Sequence, residues 1–392
     1  TWNIRVQSGL DKNQEEPVVY KDNEGQIEVI YGGKFLDKIK DDKALFKMFK
    51  YLFGYLDETS LIKLINKNSE QDIIEKILMK SKNEYDTGEV FIRKKLQAIL
   101  QLQIFEKYLE GKGSSLEQLI NSFVHYINEN INPNILVFQV RESESTYLVK
   151  IRSLLPDLDF LLKQYKSFTD DGIIDLEFLQ SSSKPVSLSQ IKSLSKIKYI
   201  YSDNELIQQM KFMFFSNQSH LSYTEKFRTK HKNLFDLIIN ENVTIDDFGI
   251  HQKGIIKRLK DEGYLRIDED GRIEIEKITF LYIIRELHRN ELLSYWNYPR
   301  FVRDEIDIML KEKTVFSKNS LFSTEEIKYF NFYLNKKEYT NGHDLRNKYS
   351  HGTNTQSDEN HKHDYYLILK IVILTLLKID DDIEVGKNPS IN

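Results

Sequence analysis

The run Tyr365-Tyr-Leu-Ile-Leu-Lys-Ile-Val-Ile-Leu-Thr-Leu-Leu377 breaks its apolar character only at Lys370 and Thr375. At helical pitch its side chains cover every face of the cylinder, so the segment needs partners on several sides at once. It falls short of the roughly 20 apolar residues that a bilayer span requires. A bundle interior, completed by a seam against a second copy, satisfies it. The expected fold class is therefore mainly α.

Just ahead of this run lies Tyr339-Thr-Asn-Gly-His-Asp-Leu-Arg-Asn-Lys-Tyr-Ser-His-Gly352, which holds two of the nine histidines. Arg346, Asn347 and His351 combine a permanently charged fork, an amide and a group that exchanges a proton near neutral pH. That set suits RNA cleavage: a base takes the 2′-OH proton, an acid protonates the leaving 5′ oxygen, and a cation steadies the phosphoryl charge. The route needs no metal or cofactor and leaves a 2′,3′-cyclic phosphate and a 5′-hydroxyl. On a regular helix, residues five apart are turned by about 140°, whereas residues four apart share a face. Asn347 and His351 therefore align and Arg346 does not. Either Arg346 bends back from a loop, or a second copy completes the site across a two-fold axis.

The run Leu345-Arg346-Asn347-Lys348-Tyr349-Ser350-His351-Gly352, with Asn341-Gly342 before it and an apolar helix after a polar loop, resembles the signature of HEPN domains (higher eukaryote and prokaryote nucleotide-binding). The resemblance covers about the last quarter of the chain. It implies a helical bundle and a metal-independent endoribonuclease acting as a homodimer through that bundle, in the manner of toxins and antiviral-defence effectors. It further implies that Arg346 binds the scissile phosphate, His351 transfers protons, and Asn347 holds the imidazole or the phosphate. The competing reading is structural: Arg and Asn at a helix start often cap backbone groups, and a His four residues on is often a hydrogen-bonded core residue.

Around the motif, His343 and Lys348 are candidate substrate contacts, with turn chemistry the plainer account of His343. Arg285, His288, Arg289, Arg300 and Arg303 offer a basic patch for RNA, with Arg285 and Arg289 the chosen members; pairing with Glu286, Glu291, Asp304 and Glu305 is the alternative. His361-Lys-His363-Asp364 lacks a third ligand and reads as a solvated loop rather than a metal site.

Four consecutive segments follow from the patterning. Residues 1–134 read as a helical N-terminal domain with a β-hairpin between Pro17 and Gly33, a helix at Ile73–Met79, and His125 as a packing residue. Residues 135–230 are mixed, with short strands at Ile135–Val140 and Tyr147–Ile151, the latter equally able to open a helix. Ser181-Ser-Ser-Lys-Pro185 is the clearest linker. Residues 231–277 carry three helices and a hairpin, in the order of a winged helix, with His251, Gln252, Lys253, Lys257, Arg258 and Lys260 on the recognition helix. Asp268, Glu269, Asp270, Glu274 and Glu276 make the wing acidic, which favours a packing or spacer role over DNA binding. Residues 278–392 form the bundle, its third helix begun by the capping box Ser323-Thr-Glu-Glu326.

The chain has 392 residues, no cysteine and a net charge of −4. Absence of cysteine removes disulfides and thiolate chemistry and suits a reducing cytoplasm. The negative balance gives no global attraction to nucleic acid, so RNA must be held by a local basic patch. A protein partner or inhibitor fits such a docking-dependent enzyme. Two other classes compete: a non-catalytic nucleotide- or protein-binding module, distinguished by lacking an open cleft at the motif, and a DNA-binding regulator acting through residues 231–276, distinguished by steeply salt-dependent duplex binding.

Overall fold

The computed structural model describes residues 5–23, 26–70, 83–142, 146–181, 185–228, 230–336, 338–350 and 357–387. The chain is mainly helical and separates into two compact units. One contains residues 1–66, 70–196 and 319–392; the other contains 67–69 and 197–318. The expected helix at Ile73–Met79 lies outside the described residues. No helix among the described residues is long and apolar enough to cross a membrane.

The first unit is built on the helix Asp358–Gly386, in which every residue from Asp364 to Ile383 is buried. Helices Tyr147–Asp171, Glu89–Glu110 and Leu116–Ile131 pack around it. All its faces are therefore covered by its own chain. The expected seam with a second copy is not needed to bury this helix, because segments from the N-terminal half take that place. Two of the buried charges along it meet specific groups: the Asp382 carboxylate accepts from the Tyr165 hydroxyl at 2.8 Å and the Leu194 N–H at 2.9 Å, and Lys47 reaches Asp380 at 2.8 Å.

Strands Arg5–Asp11, Gln26–Gly32 and Val18–Asn23 lie side by side in that order. The last two form the expected hairpin, with Val18 opposite Tyr31. The first, unforeseen in the sequence, adds in parallel. Gly32 is required here, since a Cβ on it would come within 2.2 Å of the Glu16 carbonyl oxygen. The expected strand at Ile135–Val140 has no strand partner among the described residues. Its backbone is instead satisfied by side-chain amides: Asn121 bonds Val140 N–H and C=O at 2.8 and 2.9 Å, Asn128 does the same for Leu136, and Gln164 for Val137. Tyr147 opens a helix rather than a strand.

In the second unit a helix Leu234–Asn240, a 3-10 turn Ile245–Asp247, a helix Ile250–Asp261 and a hairpin Leu265–Ile267/Ile273–Ile275 follow in the expected order. The same series then recurs 50 residues later, as helix Ile278–Asn290, turn Tyr295–Asn297, helix Arg300–Lys311 and strand Phe316–Lys318. Buried positions match at that offset: Leu237 with Leu287, Val243 with Leu293, Phe248 with Tyr298, Ile256 with Ile306, Leu259 with Met309. Apart from Leu237 and Leu287, residues at the matched positions differ in type while their burial is kept, which hides the repeat from inspection of the sequence.

The helices Ile278–Asn290 and Arg300–Lys311 thus belong with residues 197–318, and the expected bundle of residues 278–392 is corrected accordingly. A stripe-faced amphipathic helix packs equally well in either place; only contacts distant in sequence decide.

Candidate active site

The helix Leu345–Ser350 carries Arg346 and Asn347. Asp344, at φ 52°, turns the chain into it, and the Asp344 carboxylate accepts from Asn347 Nδ2 at 2.9 Å and Lys336 N–H at 3.2 Å. Leu345 and Tyr349 point into the core. Arg346 therefore projects the other way, where Nη1 donates to Asn335 Oδ1 at 3.0 Å and Nη2 donates to the Asp159 carboxylate. Its Nε–H has no partner among the described residues. Of five guanidinium donors two are used, which leaves the fork oriented but not saturated. Burial raises the Asp159 carboxyl, against the pull of Arg346 and Lys163.

Arg346, Asn347 and Ser350 open on a groove of about 1080 Å³. Its opposite wall is the helix Tyr147–Asp171, which contributes Arg152, Asp159 and Lys163, and Lys336 stands at its edge. Four cations and two carboxylates, Asp159 and Glu338, line it. In a chain of net charge −4 this is a local reversal of sign.

Behind the motif helix a second polar cluster is packed against the central helix. Asp364 accepts from Lys348 Nζ and from the Tyr349 hydroxyl at 2.7 Å, and His361 Nδ1 lies 2.9 Å from that hydroxyl. His361 and Asp364 are buried inside a helix, which corrects the reading of 361–364 as a solvated loop. Capped at Ser357, the helix begins before them. Among the described residues no group of three or more His, Asp or Glu is placed to hold a metal.

His343 sits on this inner side, not in the groove. Its ring stacks on Tyr333, its Nε2 is 3.2 Å from Lys95 Nζ, and burial together with Lys95 pushes its pKa down to about 4. Asp364, Lys370 and His363 also face it. Because the folded pKa lies below the ordinary value of about 6.5, the resulting stability is present above pH 6.5 and is lost as the pH falls towards 4. The full shift corresponds to about 3 kcal/mol, and for a half-buried ring we take about 1–2 kcal/mol. His343→Gln is expected to lose less stability than the wild type between pH 7 and pH 4.5, by that amount in urea melts. Equal losses refute this role.

Of the candidate site residues, the structure brings Arg346 and Asn347 to the groove and places His343 and Lys348 behind it. His351 lies outside the described residues. Arg285 and Arg289 belong to the second unit, where the Arg285 guanidinium lies over the Tyr282 ring at 5.0 Å and bonds Glu286 at 3.4 Å, and the Arg289 carbonyl accepts from Ser69. On the expected recognition helix, Gln252 accepts from Gly249 N–H and Lys253 pairs with Asp246 at 2.7 Å, so these two serve the unit's own packing. Asp159 and Asn335, the partners that orient Arg346, escaped sequence reading. Asp159 is 187 positions away, and a lone carboxylate on an amphipathic helix carries no signal of its partner. No protein-family model, no curated protein and no solved structure matches the chain.

Proposed function

We propose that the chain is a metal-independent endoribonuclease of the HEPN type. The observation that carries this reading is the setting of Arg346: a guanidinium fixed by Asp159 and Asn335 at the wall of a cation-lined groove, with donors left for a phosphate. In this reading the ribose 2′ oxygen attacks the adjacent phosphorus as His351 accepts its proton. The P–O5′ bond breaks, and the leaving oxygen takes a proton from an imidazolium. Arg346 holds the phosphoryl oxygens, which gather charge in the transition state. The direct test is incubation of the purified chain with single-stranded RNA in EDTA: a 2′,3′-cyclic phosphate product is expected, and activity only with added Mg²⁺ or Mn²⁺ sinks the mechanism.

A homodimer belongs to the proposal, since one neutral and one protonated His351 from two copies supply base and acid together. Arg346→Ala mixed with His351→Ala is expected to recover part of the activity in exchanged dimers, because one intact Arg and one intact His then meet in a shared cleft. No recovery after demonstrated exchange excludes a site of that composition. A reducing cytoplasm and a role as toxin or antiviral effector complete the reading, both resting on the residue resemblance and the lack of cysteine.

A further inference from the structure

The groove at Arg346 is longer than one phosphate needs. On the helix Tyr147–Asp171, Arg152, Pro156, Asp159 and Lys163 fall at spacings of four, three and four, which is one stripe. Arg152 and Lys163 are thus about 16 Å apart along the wall, at 1.5 Å per residue. The Phe160 ring, part-exposed, lies on the same wall between them. Asp159 is paired with Arg346, and Glu338, which accepts from Asn331 Nδ2 at 2.8 Å, keeps its charge, so four cations against two carboxylates leave the lining with two net positive charges.

The shape selects among polyanions. A groove of about 1080 Å³ is at the upper end for small-ligand pockets, about 300–1,000 Å³, and has room for more than one nucleotide. Double-stranded RNA is met across a shallow minor groove on open surfaces, whereas single strands are threaded through basic grooves with bases laid on aromatic rings. Cations spaced along a wall with a ring between them are the arrangement that the second case requires.

We propose that this groove is a binding track for single-stranded RNA, in which Arg152, Lys163 and Lys336 engage phosphates flanking the one at Arg346 and Phe160 stacks on a base. The inference rests on the ribonuclease reading for the identity of the central phosphate, but binding along the track is separable from cleavage. The probe is a fluorescent 12-nucleotide oligouridine with 2′-O-methyl groups, which lacks the attacking hydroxyl and cannot be cut by 2′-OH attack.

The wild-type chain is titrated with this probe across a salt series. The triple variant Arg152→Gln, Lys163→Gln, Lys336→Gln is expected to bind at least about tenfold more weakly at 0.1 M salt, with the slope of log affinity against log salt reduced by about 2, at about 0.7 for each phosphate no longer neutralised. Should the triple variant melt early, Lys336→Gln alone, at an exposed position, is expected to lower the slope by about 0.7. Phe160→Ala is expected to weaken the oligouridine about tenfold while leaving binding of inorganic polyphosphate unchanged. Unchanged affinity and slope in folded variants overturn the track, as does binding of double-stranded RNA as tight as that of the single strand. If the variants lose binding but the wild type never cuts unmodified RNA, the track stands and the ribonuclease reading falls. Variants that cut and bind as the wild type does leave the nuclease and remove the track.

Discussion

His351→Ala is expected to lower the rate of RNA cleavage in EDTA by about 10²–10⁴-fold, the range for removal of a positioned acid or base. The control is a thermal melt within about 2 °C of the wild type, the shift expected of a change worth less than about 0.5 kcal/mol. Arg346 needs a different substitution. Arg346→Ala strands the Asp159 carboxylate, whose other partner in range is the more distant charge of Lys163, so it costs stability as well as activity. Arg346→Lys keeps the charge beside Asp159 and loses the planar fork that bonds Asn335 and a phosphate together. We expect it to fold and to cut about 10²-fold or more slowly, the loss typical of removing one oriented donor to a developing oxyanion. Cleavage by Arg346→Lys within a few-fold of the wild type would show that only charge is needed there. Asp159→Asn completes the series: it retains a hydrogen-bond acceptor but no counter-charge, and the predicted loss is in the rate at saturating RNA more than in RNA affinity, as a positioning residue requires.

The largest expected effect on stability comes from Lys378→Met. Lys378 and Glu326 are both fully buried, with Nζ 3.0 Å from Glu326 Oε1 and 2.8 Å from the Ser60 carbonyl. The same carboxylate accepts from Ile62 N–H at 2.9 Å and Ser323 N–H at 2.8 Å, and so joins the central helix, the cap of the helix Thr324–Leu334 and the Ser60–Ile62 turn at one point. Removing the ammonium leaves a buried carboxylate without the charge that balances it, at a cost of about 3–5 kcal/mol. Urea denaturation should show a lower midpoint with an unchanged slope. Adding Glu326→Gln is expected to recover part of the loss, because the uncompensated charge is then gone. A single variant that costs less than about 1 kcal/mol contradicts the pairing. Lys370, eight residues earlier, differs: it is equally buried but has no hydrogen-bond acceptor among the described residues and lies over the Tyr333 ring at 4.0 Å and the Tyr329 ring at 5.2 Å, and burial holds its amine well below the usual lysine range.

Local rules made several elements legible from residue order. The N-terminal hairpin, the Ser323 capping box and the helix–turn–helix–hairpin series of 234–275 each depend on neighbours within a dozen positions, and each is found where that chemistry puts it. The apolar helix near the C-terminus was equally plain, as was its need for cover on every side.

What covers it was not. Tyr365–Leu377 states how much apolar surface must be removed from water but not which helix removes it, because burial free energy follows area and is indifferent to a partner's place in the sequence. Hence Glu89–Glu110, Leu116–Ile131 and Tyr147–Asp171 took the positions expected of Ile278–Asn290 and Arg300–Lys311. The site divides in the same way. Arg346 and Asn347 were legible as chemistry because their types and spacing suffice to suggest it. The groove they face, and the Asp159 that orients the Arg, exist only once a helix 187 positions upstream is laid beside the motif. A one-to-one charge contact leaves no periodic trace in either segment, so tertiary packing alone decided it.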